Sequence, residues 1–457
     1  MKHPSSSSTN SRKTTRGILS HKEPSGGTGT LRAAESKRDT SFKQFFKILG
    51  PGFITGASDD DPSGIGTYST TGASLGYSVL WTALLTFPLM TVVQYLCAKV
   101  GMVTGQGLAG VLKRSYSPWL LYPVVFALFL ANTINAGADL GAIASAINLI
   151  VPLPILPLIV PVALLLLALQ IWGSYRLIAN IFRWLTLVLF AYVACGFFIH
   201  PDRLAILQGT FLPTLHWNAS FIASLVAILG TTISPYLFFW QSDEEVAEKI
   251  SKGKVTPRQR KGTTDKELRF ASWDVIIGMF VSNLVMYAII LTTAATLFTT
   301  GKHDVQSATD AAQALRPLAG SFASLLLALG LIGSGCLAVP VLTGSAAYAL
   351  SEAFGWSYGL EQKPGQAKHF YAIIIVATLI GMGIPMLGIN PITALFWSAV
   401  INGLLAPPLL LLLMLVTTNR SIMKKRVNNW WLNLVGWLTV AIMTIAAIAF
   451  FFTLGKS

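Results

Sequence analysis

Apolar runs of about twenty residues recur along most of this chain, and each is long enough to cross a hydrocarbon layer about 30 Å thick. Eleven such runs begin near Phe45, Ser78, Leu120, Leu156, Ile178, Phe221, Trp273, Ser321, Phe370, Pro391 and Trp431. In lipid a backbone must satisfy its own hydrogen bonds, so each run is expected to be a helix. Composition agrees: 53% of the residues are hydrophobic and 11% charged, where a soluble domain carries about a quarter charged. The expected fold class is an all-α polytopic membrane protein of eleven transmembrane helices.

A net charge of +14 raises the possibility of a nucleic-acid partner, but the placement of the basic residues argues for topology instead. With the N-terminus inside, all but Arg203, Lys302, Arg316 and Lys456 of the 33 Lys and Arg fall in the tail and the inner loops, the positive-inside bias. Those loops run around Lys113-Arg114, Arg176 to Arg183, Lys249 to Arg269 and Arg420 to Arg426. Eleven spans then put the C-terminus outside, in a layout that fits a bacterial plasma membrane. Residues 1–41 are polar and basic without an apolar core, and read as a disordered cytoplasmic tail that lacks a secretory signal. The loop over 248–269 is also polar and is expected to be mobile. Cys97, Cys195 and Cys336 all lie in apolar segments and read as small core residues. Asn218-Ala-Ser matches a glycosylation acceptor on the outer side.

The first span contains Ser58-Asp-Asp-Asp-Pro-Ser-Gly-Ile-Gly66. A carboxylate at the bilayer centre costs at least about 2.5 to 3.5 kcal/mol, so it faces a cavity, a partner or an ion. Pro62 pushes Asp61 away from helical angles, and Gly64 and Gly66 ease an unwound segment. The alternative, three aspartates in water at a helix end, conflicts with the apolar sequence on both sides. Five helices later, Gly230-Thr-Thr-Ile-Ser-Pro-Tyr236 interrupts a second span. Paired interruptions in matching positions point to an inverted-repeat transporter with its site at the midplane. The repeats are expected over 42–200 and 201–417, with a basic loop and an eleventh helix over 418–457.

These residues resemble the NRAMP divalent-metal transporters. Gly50-Pro-Gly-Phe53 followed by Asp61-Pro62 is similar to the family's first helix, with its Asp-Pro-Gly-Asn motif, and Gly230 to Tyr236 to its Met-Pro-His segment. Ala138-Asp-Leu140 in the third helix and Trp397 to Pro408 in the tenth also fit, so the likeness runs from about Phe42 through the tenth helix and takes in the eleventh. The resemblance implies a LeuT-type fold, a 5+5 inverted repeat with broken helices 1 and 6, and import of a divalent cation.

The chain departs from that pattern in an ordered way. Gly64 replaces the motif asparagine, Ser234 the metal-binding methionine, and Ala399 the tenth-helix glutamine. Loss of the soft thioether favours hard ions such as Mg2+ and Mn2+. Tyr236 replaces the family histidine, Asp139-Leu-Gly-Ala142 loses a glutamate, and no arginine occurs from Tyr371 to Leu387, so the proton relay is depleted. Together these departures resemble the NRAMP-related magnesium transporter branch, which moves Mg2+ and Mn2+ without protons. On that likeness Asp61 is expected as the direct or water-bridged anionic ligand, Thr231 as a carbonyl ligand and Ser234 as a hydroxyl ligand. Asp59, Asp60, Gly64, Tyr236, Asn402 and Asp139 are expected in the vestibule or as water-mediated contacts, although Asp139 and Asn402 equally suit ordinary hydrogen bonding and helix packing. Asp243-Glu-Glu245 read as a solvated charge run near the inner end of the sixth helix, able to draw cations out.

The six histidines, His3, His21, His200, His216, His303 and His369, lie in the tail, in loops or at helix ends, so no imidazole cluster is expected in the membrane. No cofactor is expected, since the ion is cargo, and the expected partners are that ion and the bilayer, with a monomeric chain. Three other readings stay open: a proton-coupled Mn2+ symporter, an amino-acid carrier of the same fold, and an intramembrane aspartyl protease using Asp61 and Asp139.

Overall fold

A computed structural model of the chain describes residues 50–173, 187–199 and 202–454. Among the described residues every regular element is a helix. In chain order the main ones are α1 (Pro51–Asp59), α2 (Pro62–Leu75), α3 (Trp81–Thr104), α4 (Leu108–Ser115), α5 (Pro118–Ile150), α6 (Ile155–Trp172) and α7 (Phe190–Phe198). They continue as α8 (Arg203–Phe211), α9 (Ala219–Thr232), α10 (Pro235–Ser251), α11 (Asp265–Thr296), α12 (Ala323–Phe354), α13 (Lys368–Met386), α14 (Pro391–Thr418) and α15 (Trp430–Leu454). Nine spans among the described residues are long and apolar enough to cross a membrane, with α9 and α10 together forming one of them. The expected first span is the α1/α2 pair, and the expected fifth is represented by Leu187–Phe198. The expectations for the tail, the run from Arg176 to Arg183 and the helix start near Ile178 lie outside the described residues.

Both interrupted spans are broken helices. Asp60 ends α1 at φ −82°, ψ 51°, and Asp61 is extended at φ −69°, ψ 167° before Pro62 opens α2. The second break repeats the device: Ile233 lies at φ −115°, ψ 57° and Ser234 at φ −72°, ψ 123° before Pro235 opens α10. At the first position of each second half, proline lacks an N–H that would have had no helical partner anyway. The halves lie side by side in crossed pairs, α2 touching α9 and α1 touching α10.

Around them α5 runs along α12 and α13, α9 along α14, and α11 against α1, α2 and α3. Small residues permit the closest approaches. A Cβ on Gly56 would lie 2.4 Å from the Gly278 carbonyl carbon, so α1 and α11 meet backbone to backbone. A Cβ on Gly230 would lie 2.1 Å from the Ala399 carbonyl oxygen, which brings α14 directly against the second break. Polarity runs inward: Asp59, Asp61, Asp139, Asn135 and Asn402 are buried, while Leu164, Leu165, Ile445 and Phe451 are exposed on α6 and α15. That is the inverse of a soluble protein and suits lipid contact.

Several local features differ from the sequence reading. The α11 helix begins at Asp265, ahead of the apolar run at Trp273, because Thr264 and Glu267 form a reciprocal capping box that hydropathy does not register. The polar segment after α10 takes a defined path: Pro257–Arg260 is helical, and buried Lys249 donates to the carbonyls of Arg260 (2.8 Å), Gly262 (2.8 Å) and Met102. Asp243 and Glu245 are buried, not solvated. Asp243 faces Glu352 of α12 across Gly107, whose missing Cβ would lie 2.2 Å from one carboxylate and 2.5 Å from the other. Asn218 is the N-cap of α9, accepting from the Phe221 N–H at 2.7 Å. The three cysteines are buried and free.

Candidate functional site

The first break turns three consecutive carboxylates in two directions. Asp59, in the last turn of α1, and Asp60 beside it point to α11, where the Ser282 hydroxyl lies 2.7 Å from Asp59 Oδ2 and 3.1 Å from Asp60 Oδ1. One hydroxyl proton serves both. Asp61 faces the opposite way because its extended backbone makes it the N-cap of α2. Its Oδ1 accepts from the Gly64 N–H at 2.8 Å and the Ser63 hydroxyl at 2.6 Å. Its Oδ2 accepts from the Asn135 amide of α5 at 3.0 Å and lies 3.4 Å from the Tyr236 hydroxyl of α10. Tyr236 also donates to the Ser58 carbonyl at 3.0 Å, so its contact with Asp61 is the weakest of the four.

The second break stands opposite. The Ser234 hydroxyl turns back to the carbonyls of Thr231 (2.6 Å) and Gly230 (3.1 Å), so Ser234 and Thr231 are bonded to each other. Each oxygen retains lone pairs, but the hydroxyl proton is spent on the backbone. Gly64 lies between the breaks: a Cβ there would stand 3.1 Å from Thr231 Oγ1 and 3.2 Å from the Tyr68 ring. A side chain at this position would press on Thr231 and Tyr68, which would have to shift by a few tenths of an ångström to admit it.

Around this junction several buried polar atoms of the described residues have no side-chain partner: Asn135 Oδ1, both Asp139 carboxylate oxygens and both ends of the Asn402 amide. Buried polar atoms are ordinarily satisfied, so such a group marks a place where a ligand or water completes the bonding. The broken ends add dipoles, since carbonyls of α1 and α9 point out of their last turns with no helical N–H to accept. The chemistry available is therefore oxygen coordination of a cation by carboxylate, amide, hydroxyl and carbonyl groups. Among the described residues no three His, Cys, Asp or Glu side chains are grouped so as to hold a metal by themselves. A cation here would depend on neutral oxygens and retained waters beside Asp61.

The structure thus gathers Asp61, Gly64, Tyr236, Thr231 and Ser234 at the junction, and separates Asp59 and Asp60 from Asp61. Asp139 and Asn402 are buried with no side-chain partner among the described residues, and neither bonds Asp61. Asn135 and Ser282 were not foreseen. Asn135 carries a retrospective signal, an amide one helical turn before Asp139 in an otherwise apolar helix. Ser282 carries none.

Comparisons with known proteins agree with this architecture. The family model described as Natural resistance-associated macrophage protein-like (Nramp) matches residues 52–453. The Divalent metal cation transporter MntH of Bacillus subtilis (strain 168) is 27% identical over 420 residues, which cover 90% of this chain and 92% of that protein. The protein of the same name from Mycobacterium tuberculosis (strain ATCC 25618 / H37Rv) is 30% identical over 328 residues, covering 70% and 73%. Among solved structures, the Eremococcus coleocola manganese transporter is similar with a TM-score of 0.69 at 21% identity, over 90% of this chain and 87% of that one. Mhp1, a nucleobase-cation-symport-1 family transporter in a closed conformation, is similar with a TM-score of 0.54 at 12% identity, over 90% and 93%. These two likenesses establish the fold, the LeuT type with broken first and sixth helices.

Proposed function

This chain belongs to the Nramp family, one of metal transporters and not of enzymes, and from that premise we propose that it carries the hard divalent cations Mg2+ and Mn2+ across the membrane by alternating access without moving protons. The observation that carries the reading is the donor set at the paired breaks. Asp61 is a single carboxylate bonded to amide, hydroxyl and backbone groups, and no sulfur or imidazole occurs in either break. Hard cations favour such oxygens, and Mg2+ in particular is held by one or two carboxylates while it keeps several waters. Replacing a methionine by Ser234 removes the ligand that selects softer metals.

The same geometry gives the protein's own part in the cycle. Asp61 is pre-oriented by Gly64, Ser63 and Asn135, and the Tyr236 contact is the weakest, so Tyr236 is the group an arriving hydrated ion displaces. Tyr236 sits on α10 and Asp61 at the start of α2, so that exchange links the two broken helices.

The test is uptake into proteoliposomes that hold both a Mg2+-sensitive and a pH-sensitive dye, with Asp61→Ala as control. Mg2+ entry without acidification, lost in the control, is the expected result. Mn2+ entry with acidification and no Mg2+ entry would refute it in favour of proton-coupled Mn2+ transport. That second reading has one observation of its own, the fully buried Asp139 carboxylate, without a side-chain donor among the described residues and one turn from Asn135 on α5.

A further inference from the structure

Two cavities open at the same end of the molecule, on the face that the basic-residue bias assigns to the cytoplasm, and their charge balance differs. The first, of about 540 Å3, mixes signs: Glu245, Glu248 and Glu267 stand among its lysines. Lys252 pairs with Glu248 at 2.6 Å and Lys254 with Glu267 at 3.9 Å, so its charge is compensated internally. The second, of about 650 Å3, is lined by Arg114, Lys261, Lys424, Lys425 and Arg426 and by no carboxylate among the described residues. Among the described residues only Arg426 of these five has an acidic partner, Asp265, and it also donates to the Thr263 carbonyl at 3.4 Å. Four cationic side chains are left facing one concavity.

Three separate segments build this cavity: the α3–α4 corner, the turn at Lys261 to Thr263, and the stretch from Ser421 to Arg426 before α15. The middle segment is held by two anchors. The Gly262 N–H donates to the Val103 carbonyl at 3.0 Å, and Lys249 holds the carbonyls of Arg260 and Gly262. In the third segment Lys424 lies at φ 51°, the only non-glycine residue with positive φ among those described. Left-handed backbone at a residue with a Cβ costs about 1 kcal/mol or more and persists where the surroundings impose it. Here it starts the turn that presents Lys424, Lys425 and Arg426 in succession. Converging Lys and Arg side chains without a facing carboxylate are the chemistry of phosphate recognition.

We propose that this cavity binds a phosphate-bearing anion of at least two negative charges, as carried by an inner-leaflet lipid headgroup or by a free phosphate compound. The test uses the full chain in phosphatidylcholine nanodiscs with two probes: inorganic pyrophosphate, followed by titration calorimetry, and added cardiolipin, followed by native mass spectrometry. The variant K261Q/K424G/K425Q removes three charges, and glycine at 424 suits the left-handed backbone, so the fold is retained. The control K252Q/K254Q/K266Q removes equal charge from the compensated cavity. At about a factor of several per basic residue, the first variant is expected to weaken binding about a hundredfold, and the control by less than about threefold. Retention of pyrophosphate alone assigns the site to a free phosphate compound, and retention of cardiolipin alone to a lipid headgroup; each supports the site. No binding of either probe by the unmodified chain, unchanged binding in the first variant, or equal loss in the control overturns it.

Discussion

At the scale of single residues, the first break is a lesson in how backbone geometry divides identical side chains. Asp59, Asp60 and Asp61 are neighbours in sequence, yet the change from helical to extended backbone sends two of them to Ser282 and one to Asn135 and Tyr236. In the proposed function only Asp61 of the three is placed to meet the ion, so Asp61→Ala is expected to abolish uptake while the purified protein stays folded, with a melting temperature lowered by the loss of its N-cap bonds. Asn135→Ala leaves Asp61 Oδ2 without its shorter donor; a lost bond to a buried charge costs about 1.5 to 3 kcal/mol, or about ten- to a hundredfold in apparent affinity for Mn2+. Uptake titrations would show that loss, and an unchanged affinity would remove Asn135 from the site. Ser234→Met restores a thioether and is expected to raise Cd2+ affinity by at least about tenfold, measured by calorimetry. An unaltered Cd2+ affinity would place Ser234 outside the ion's reach.

Among elements, the half-helix α1 carries the most specific packing. Its first turn is held by Asp274 of α11, whose carboxylate accepts from the Gly50 N–H at 2.9 Å and the Gly52 N–H at 2.7 Å. A carboxylate at a helix N-terminus satisfies donors that have no helical partner and opposes the positive end of the dipole. One turn on, Gly56 and Gly278 touch through their backbones. Gly56→Ala inserts a methyl where there is no room and is expected to destabilise the protein by about 1 to 3 kcal/mol. A thermal melt of the variant in detergent reads that cost directly, and an unchanged melting temperature would mean that α1 does not stay seated on α11.

For the whole molecule, the decisive property is coupling. An uncoupled transporter responds to the electrochemical gradient of the ion alone, so with the membrane potential clamped a pH step of one unit across the proteoliposome should change initial Mg2+ uptake by less than about twofold. Strict one-to-one proton coupling adds about 1.4 kcal/mol per unit to the driving force, a tenfold shift in the accumulation ratio. Measuring the Mg2+ accumulated at equilibrium with and without the pH step separates the two outcomes. Polar groups concentrated at the crossing of four half-helices, inside a shell of apolar outward-facing side chains, suit either stoichiometry; the titratable groups present decide between them.

The sequence alone determined the membrane class and both breaks, because these are local properties: apolar length sets a crossing, and an X–Pro step flanked by glycine or small residues sets the backbone angles wherever it lies. It also supplied the side-chain types at the two breaks, oxygen-bearing and without sulfur or imidazole. The tertiary structure decided which carboxylates act together, since the donors that divide them, Asn135 and Ser282, come from helices 74 and more than 220 residues away. It likewise revealed that the acidic run after Trp240 is buried, that Lys249 holds the polar loop beneath α3, and that basic residues from three segments converge on one cavity. None of these leaves a periodic or spacing signal, because each depends on which distant helices the packing brings into contact.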